Sequence, residues 1–239
     1  MIPLAATTVA MVTFPLARRA GPGRRSISNA VVLGLSISTA ALAGRRWGWP
    51  RSVLAATAVA AGTLAVERIG TERGVPFGRY EYTGHLRPTI AGVPVAVPLA
   101  WWGMALPARE VAHAALGQHS TRVRRIALGA VALTAWDLFL DPQMTGEGYW
   151  RWPDGGRYRG IPLTNYAGWL VTSAAVMAAL DWLLPPRGAD PGLVAAYAGV
   201  AAMETLGFAA FFGDRLVAVV GGAAMLPIAA AGVGGVARG

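Results

Sequence analysis

Residues 136–169 read W-D-L-F-L-D-P-Q-M-T-G-E-G-Y-W-R-W-P-D-G-G-R-Y-R-G-I-P-L-T-N-Y-A-G-W. The stretch leaves an apolar helix bearing two carboxylates, Asp137 and Asp141, crosses a polar and aromatic loop, and enters a second apolar helix. A spacing of four puts both acids on nearly one helical face, and Pro142 is expected to stop the helix just beyond them. Carboxylates in an apolar segment cost several kcal/mol if ionised and unpaired, so they face an aqueous cleft, find partners or hold a proton. The plain alternative makes Asp141-Pro142 a helix stop and Asp137 a salt-bridge partner for an arginine.

Outward from this stretch the chain is greasy. Of its 239 residues 54% are apolar and 14% charged, the balance of a membrane protein. Apolar runs recur near the roughly 20-residue spanning length, at 2–17, 26–43, 51–70, 92–116, 125–141, 163–184, 192–212 and 215–236. The expected fold is an all-α polytopic transmembrane bundle over residues 1–239, one integral-membrane domain in the cell membrane. It has eight spans, or seven if the short first helix or the minimal break at Gly213, Asp214 and Arg215 does not count. Residues 1–17 are apolar from the start and meet Arg18 and Arg19 on the far side, the wrong order for a cleaved signal peptide.

All 21 basic residues are arginine, and the net charge is +9. They sit in short loops beside apolar runs, where they anchor helices, so nucleic-acid binding is not expected. Arg18, Arg19, Arg24 and Arg25 favour a cytoplasmic first loop, but Arg45, Arg46 and Arg51 crowd the opposite face, and the charge bias does not decide orientation. There is no cysteine, which excludes thiolate metal sites and cysteine nucleophiles.

Eight helices do fix relative sidedness: the loops 71–91 and 142–162 open on one membrane face. The first should form an ordered cap, with Gly70, Gly74, Gly78 and Gly84 permitting close approach. Tyr80 and Tyr82 alternate with Arg79 and Glu81, which suits an extended piece with one aromatic face or plain interfacial aromatics. Pro94 is expected in the first turn of the fourth helix and Pro98 one turn further in, where it can kink the helix. At least one of Trp101 and Trp102 is ordinary packing. Arg109, Glu110 and His113, towards the other face, read as a boundary ion pair with a structural histidine.

Glu67 and Glu204 point to the same side as Asp137 and Asp141, a possible four-carboxylate cluster. Asn165 is either a helix cap or a ligand for substrate or water. Trp169 lies one turn on, on the same face.

At these two loops the chain resembles the integral-membrane carotenoid-biosynthesis family of carotenoid 1,2-hydratases and bisanhydrobacterioruberin hydratases. The matching residues are Glu67 with Gly70, G-V-P-F-G-R-Y-E-Y at 74–82, G-V-P-V-A-V-P-L-A-W at 92–101, A-W-D-L-F-L-D-P-Q-M at 135–144, residues 149–152, and Y-R-G-I-P-L-T-N-Y-A-G-W at 158–169. The first two helices and the tail add little beyond hydropathy. The resemblance implies hydration of the terminal isopropylidene double bond of a linear carotenoid to a tertiary alcohol, a hydro-lyase reaction needing no metal or other cofactor.

Under this reading Asp137 or Asp141 gives the proton, Glu67 is its partner or the base for water, and Asn165 holds water. Tyr80, Tyr82, Trp101, Trp136, Trp150, Trp152, Trp169 and Glu204 surround the substrate and its cation. The expected partners are the linear carotenoid, the lipid bilayer and other membrane enzymes of carotenoid synthesis. The competing reading is a non-enzymatic carotenoid or isoprenoid carrier. A transporter is disfavoured by the lack of an inverted repeat, and a prenyltransferase by the lack of an Asp-rich diphosphate and magnesium pattern.

Overall fold

The computed structural model describes residues 2–17 and 21–238; Arg18 and Arg19, invoked for orientation, lie outside the described residues. The chain is all-α, with helices α1 (Ile2–Thr13), α2 (Pro22–Trp47), α3 (Trp49–Arg73), α4 (Ala96–Leu116), α5 (Arg122–Gly146), α6 (Leu163–Leu183), α7 (Pro191–Ala210) and α8 (Arg215–Arg238). Four two-residue strands occupy the two long loops: β1 (Glu81–Tyr82), β2 (Thr89–Ile90), β3 (Val93–Pro94) and β4 (Trp150–Arg151). Five helices, α2 from Gly23 onward, α3, α6, α7 and α8, are long and apolar enough to cross a membrane. These five do not establish the expected count of eight or seven: α1 is apolar but short, and α4 and α5, outside the five, carry buried charged side chains.

The helix ends follow local chemistry. Asp190 accepts from the Leu193 amide at 3.0 Å to cap α7, Thr121 accepts from the Arg124 amide at 3.3 Å to cap α5, and Gly74, at φ 71°, ends α3 in the left-handed conformation that glycine tolerates. α4 is buried along most of its length, packed by α2, α3, α5 and α8.

Three proline expectations are corrected. Pro94 pairs with Thr89 in the β2–β3 ladder, so α4 starts after it. Pro98 then falls in the first turn, where no intrahelical amide bond is due and no kink is needed. The third correction is Pro142, which does not stop α5; the helix runs on to Gly146. Proline leaves the carbonyl four residues back without its amide partner, and here the Tyr158 hydroxyl donates to Leu138 O at 3.1 Å instead. Pro107, inside α4, is accommodated the same way, with Thr39 Oγ1 donating to Gly103 O at 2.9 Å.

This substitution of a side chain for an amide makes a prediction. Tyr158→Phe should destabilise the protein by about 1 kcal/mol, read by thermal unfolding in detergent. Adding Pro142→Ala should recover most of that loss, because alanine at that position supplies the missing amide hydrogen. Additive losses in the double variant would break the link between the two residues.

At the end of the bundle away from the long loops, charges are buried together. Arg125 Nε and Nη2 donate to the two oxygens of Asp181 at 2.5 and 2.9 Å, and Arg109 Nε lies 3.7 Å from the same carboxylate. Glu110 Oε2 accepts from the Asp190 amide at 2.9 Å. Arg109 and Glu110, 3.8 Å apart, are therefore part of a network joining α4, α5, α6 and the α6–α7 loop. His113 pairs with Ser120 at 3.3 Å.

Candidate active site

The two long loops meet in a short antiparallel ladder, with Glu81 opposite Arg151 and Tyr82 opposite Trp150. Thr83 N extends it to Tyr149 O at 3.0 Å. The expected alternation holds: Glu81 and Arg151 pair on the outer face at 2.5 Å, while Tyr80 and Tyr82 turn inward. The second loop begins after Gly146 rather than at Pro142, because α5 is longer than expected.

Two glycines let this cap seat on the bundle. A Cβ on Gly70 of α3 would meet the Tyr80 ring at 3.0 Å and Phe77 at 3.1 Å, and one on Gly168 of α6 would sit 2.5 Å from Pro76 O. Trp152 Nε1 then ties the two loops together by donating to Phe77 O at 3.0 Å.

Under the cap lies a cavity of about 330 Å³. Glu67 of α3 sits on its wall, taking hydrogen bonds on both oxygens. Trp101 Nε1 donates to Oε1 at 3.0 Å, Tyr82 Oη donates to Oε2 at 2.7 Å, and Tyr80 Oη donates to Oε2 as well. Burial, and next the Glu67 charge, push both phenols above their ordinary value of 10.0, so they are neutral donors across the physiological range. A carboxylate has about four acceptor positions. Three are filled, leaving one for a ligand or water.

Asp141 is the second acid on the wall. Trp150 Nε1 donates to its Oδ1 at 3.0 Å, and Asn165 Nδ2 donates to its Oδ2. The same amide nitrogen donates to Asp137 Oδ2 at 3.0 Å, so Asn165 bridges the two acids of α5 rather than capping α6. Asp137 lies behind this pair, fully buried and off the cavity wall, with Oδ1 lacking a hydrogen-bond partner. Both hydrogens of the Asn165 amide are thereby committed, and its carbonyl oxygen is what it can offer to the cavity.

Aromatic rings complete the wall. Trp101 and Trp169 stack at 3.9 Å with an 11° interplanar angle, Trp136 meets Trp169 edge-on at 6.3 Å, Trp152 tilts against Tyr80 at 5.7 Å, and Trp150 meets Tyr82 at 5.9 Å. Each such contact adds about 0.5–1.5 kcal/mol beyond burial, which holds these rings of the cavity wall in place. Trp102 is the packing tryptophan, donating to Ser36 O of α2 at 3.3 Å.

Of the residues singled out in the sequence, Glu67, Tyr80, Tyr82, Trp101, Trp136, Asp141, Trp150, Trp152, Asn165, Trp169 and Glu204 all line this cavity, and Asp137 touches it through Asn165. The four acids do not form one cluster. Glu67 interacts electrostatically with Asp137 and Asp141, whereas among the described residues no charged group acts on Glu204 of α7. Among the described residues no group of three or more acidic, cysteine or histidine side chains is disposed to hold a metal ion.

Sequence reading missed Phe77, Asn29 and Gln143, which also line the cavity. Phe77 lay within a quoted motif. Asn29 is a lone amide in an apolar helix, a visible mark on a helix credited with hydropathy alone; α1 and α2 in fact form one wall.

Comparison with known proteins points the same way. The family profile described as carotenoid biosynthesis protein matches residues 26–237. A curated relative, the bisanhydrobacterioruberin hydratase of Haloarcula japonica, is 30% identical over 135 residues, 55% of this chain and 45% of the relative. The match thus spans under half the length of that relative. No solved structure matches the chain.

Proposed function

Because the chain belongs to the carotenoid biosynthesis protein family, we propose that it is a multi-pass membrane enzyme that adds water to the terminal isopropylidene double bond of a linear carotenoid, leaving a tertiary alcohol. The observation that carries this reading is the presence of two differently hydrogen-bonded carboxyl groups, Asp141 and Glu67, on the wall of one aromatic-lined cavity. The Haloarcula relative, named as a hydratase, supports the reaction class.

Asp137 and Asp141, bridged by one amide, cannot both ionise cheaply in an apolar setting, so the pair keeps a proton between them. Asp141, on the wall, delivers it. The π electrons of the alkene take this proton at the less substituted carbon, and the positive charge falls on the tertiary carbon. Faces of Trp101, Trp169, Tyr80 and Trp152 stabilise that charge. Water held at the Asn165 carbonyl oxygen then forms the C–O bond and gives a proton to the open position of Glu67. That proton returns to Asp141 through cavity water, so the sum is one H and one OH added. No cofactor enters the sum.

Expression in cells that accumulate lycopene or bisanhydrobacterioruberin tests the activity. The expected pigment is more polar and heavier by one water for each end attacked. Unchanged pigment refutes the hydratase reading, and unchanged pigment that co-purifies with the protein supports the carrier role.

A further inference from the structure

A linear carotenoid is a long polyene, so one whose end reaches the acids under the cap needs an apolar opening for the rest of its length, and the structure offers one. Val12 of α1 and, on α7 and just beyond it, Leu206 and Phe211 line the cavity yet are 52%, 60% and 60% exposed. Residues that belong both to the cavity wall and to the outer apolar surface mark a mouth. This mouth lies on the flank of α7, a helix of spanning length, so it faces hydrocarbon.

The loop side is closed by contrast. The β1–β4 cap covers the acids, and next to it Arg24, 2% exposed, clasps the surrounding elements. Its Nη2 lies 2.8 Å from Glu147 Oε1 at the end of α5, its Nη1 donates to Ala17 O at 2.8 Å, and its guanidinium lies 4.3 Å from the Phe14 ring centre and 5.6 Å from that of Phe212. The clasp ties the end of α1 to α5 and α7 at the loop-side edge of the mouth, leaving the gap between α1 and α7 below it as the way in.

Resting on the hydration reading for the identity of the ligand, we propose that the polyene enters sideways from the bilayer between α1 and α7, one end at a time, with its remaining length left in lipid. Each acid-lined visit then handles a single terminus.

The chain has no cysteine, so a Val12→Cys/Leu206→Cys pair carries its only thiols. In the full-length protein in lipid vesicles, the pair is bridged with a reducible bifunctional thiol reagent before pigment is added. The probe is a linear polyene with both terminal double bonds saturated, which can bind but cannot be hydrated. Bridging should reduce retention of this polyene on the repurified protein at least tenfold, and reduction of the bridge should restore it, which also shows that the variant is folded. Equal retention with and without the bridge overturns the lateral route. Because the probe needs no turnover, a chain that never hydrates carotenoid but shows the bridge effect loses only the hydratase reading. One that hydrates carotenoid with the bridge closed loses only the lateral route.

Discussion

Asparagine in place of Asp141 is expected to lower kcat for carotenoid hydration by about 10²–10⁴-fold, the usual worth of a positioned general acid, while the folded bundle persists. Asparagine keeps the shape of the side chain and an oxygen that can accept from Trp150 Nε1, which bonds Asp141 Oδ1 at 3.0 Å; its amide nitrogen then faces Asn165, whose side-chain amide turns over to accept instead of donate. What it loses is an exchangeable carboxyl proton on the cavity wall. Asp137 cannot stand in, being fully buried behind Asn165 and away from the wall. Activity is measured as the initial rate of alcohol formation at saturating polyene, and a rate within a few-fold of wild type would remove Asp141 from the proton-donating role.

Glutamine in place of Glu67 is expected to give a similar loss of alcohol, about 10²–10⁴-fold, by a different route. The amide oxygen should face Trp101 Nε1, which can only donate and now bonds Oε1 at 3.0 Å. The amide nitrogen then faces Tyr80 and Tyr82, whose hydroxyls can rotate to accept. Stability should therefore change by only about 1 kcal/mol. The two variants separate in deuterated water. With Asp141 intact, the Glu67→Gln protein still protonates the alkene reversibly, so whenever the original hydrogen is the one lost, recovered carotenoid gains deuterium at the less substituted carbon of its terminal double bond although no alcohol forms. The Asp141→Asn protein should give neither alcohol nor exchange. Equal exchange in both would reject the division of roles.

How much of this was legible in the letters differs from element to element. Helix positions and the meeting of the two loops follow from hydropathy and parity, and the inward turn of Tyr80 and Tyr82 follows from their alternation with Arg79 and Glu81. The persistence of α5 through Pro142 does not, because the hydroxyl that replaces the lost amide bond belongs to Tyr158, beyond the loop. Spacing put Asp137 and Asp141 on one face, but their different depths are set by Asn165, which comes from α6 and bridges them. Parity likewise put Glu204 at the right end of the bundle without saying that it faces another part of the cavity. The contribution of α1 and α2 arises from packing between helices far apart in sequence, where a lone Asn29 was the visible trace.

The central claim is that a carboxyl proton and a water molecule are added across a terminal alkene. It is tested most directly by running the purified protein on a linear carotenoid in deuterated water enriched in oxygen-18. The account predicts an alcohol with solvent oxygen on the tertiary carbon and one deuterium fixed on the adjacent carbon. An alcohol whose oxygen is not from solvent, or one lacking that carbon-bound deuterium, would contradict it.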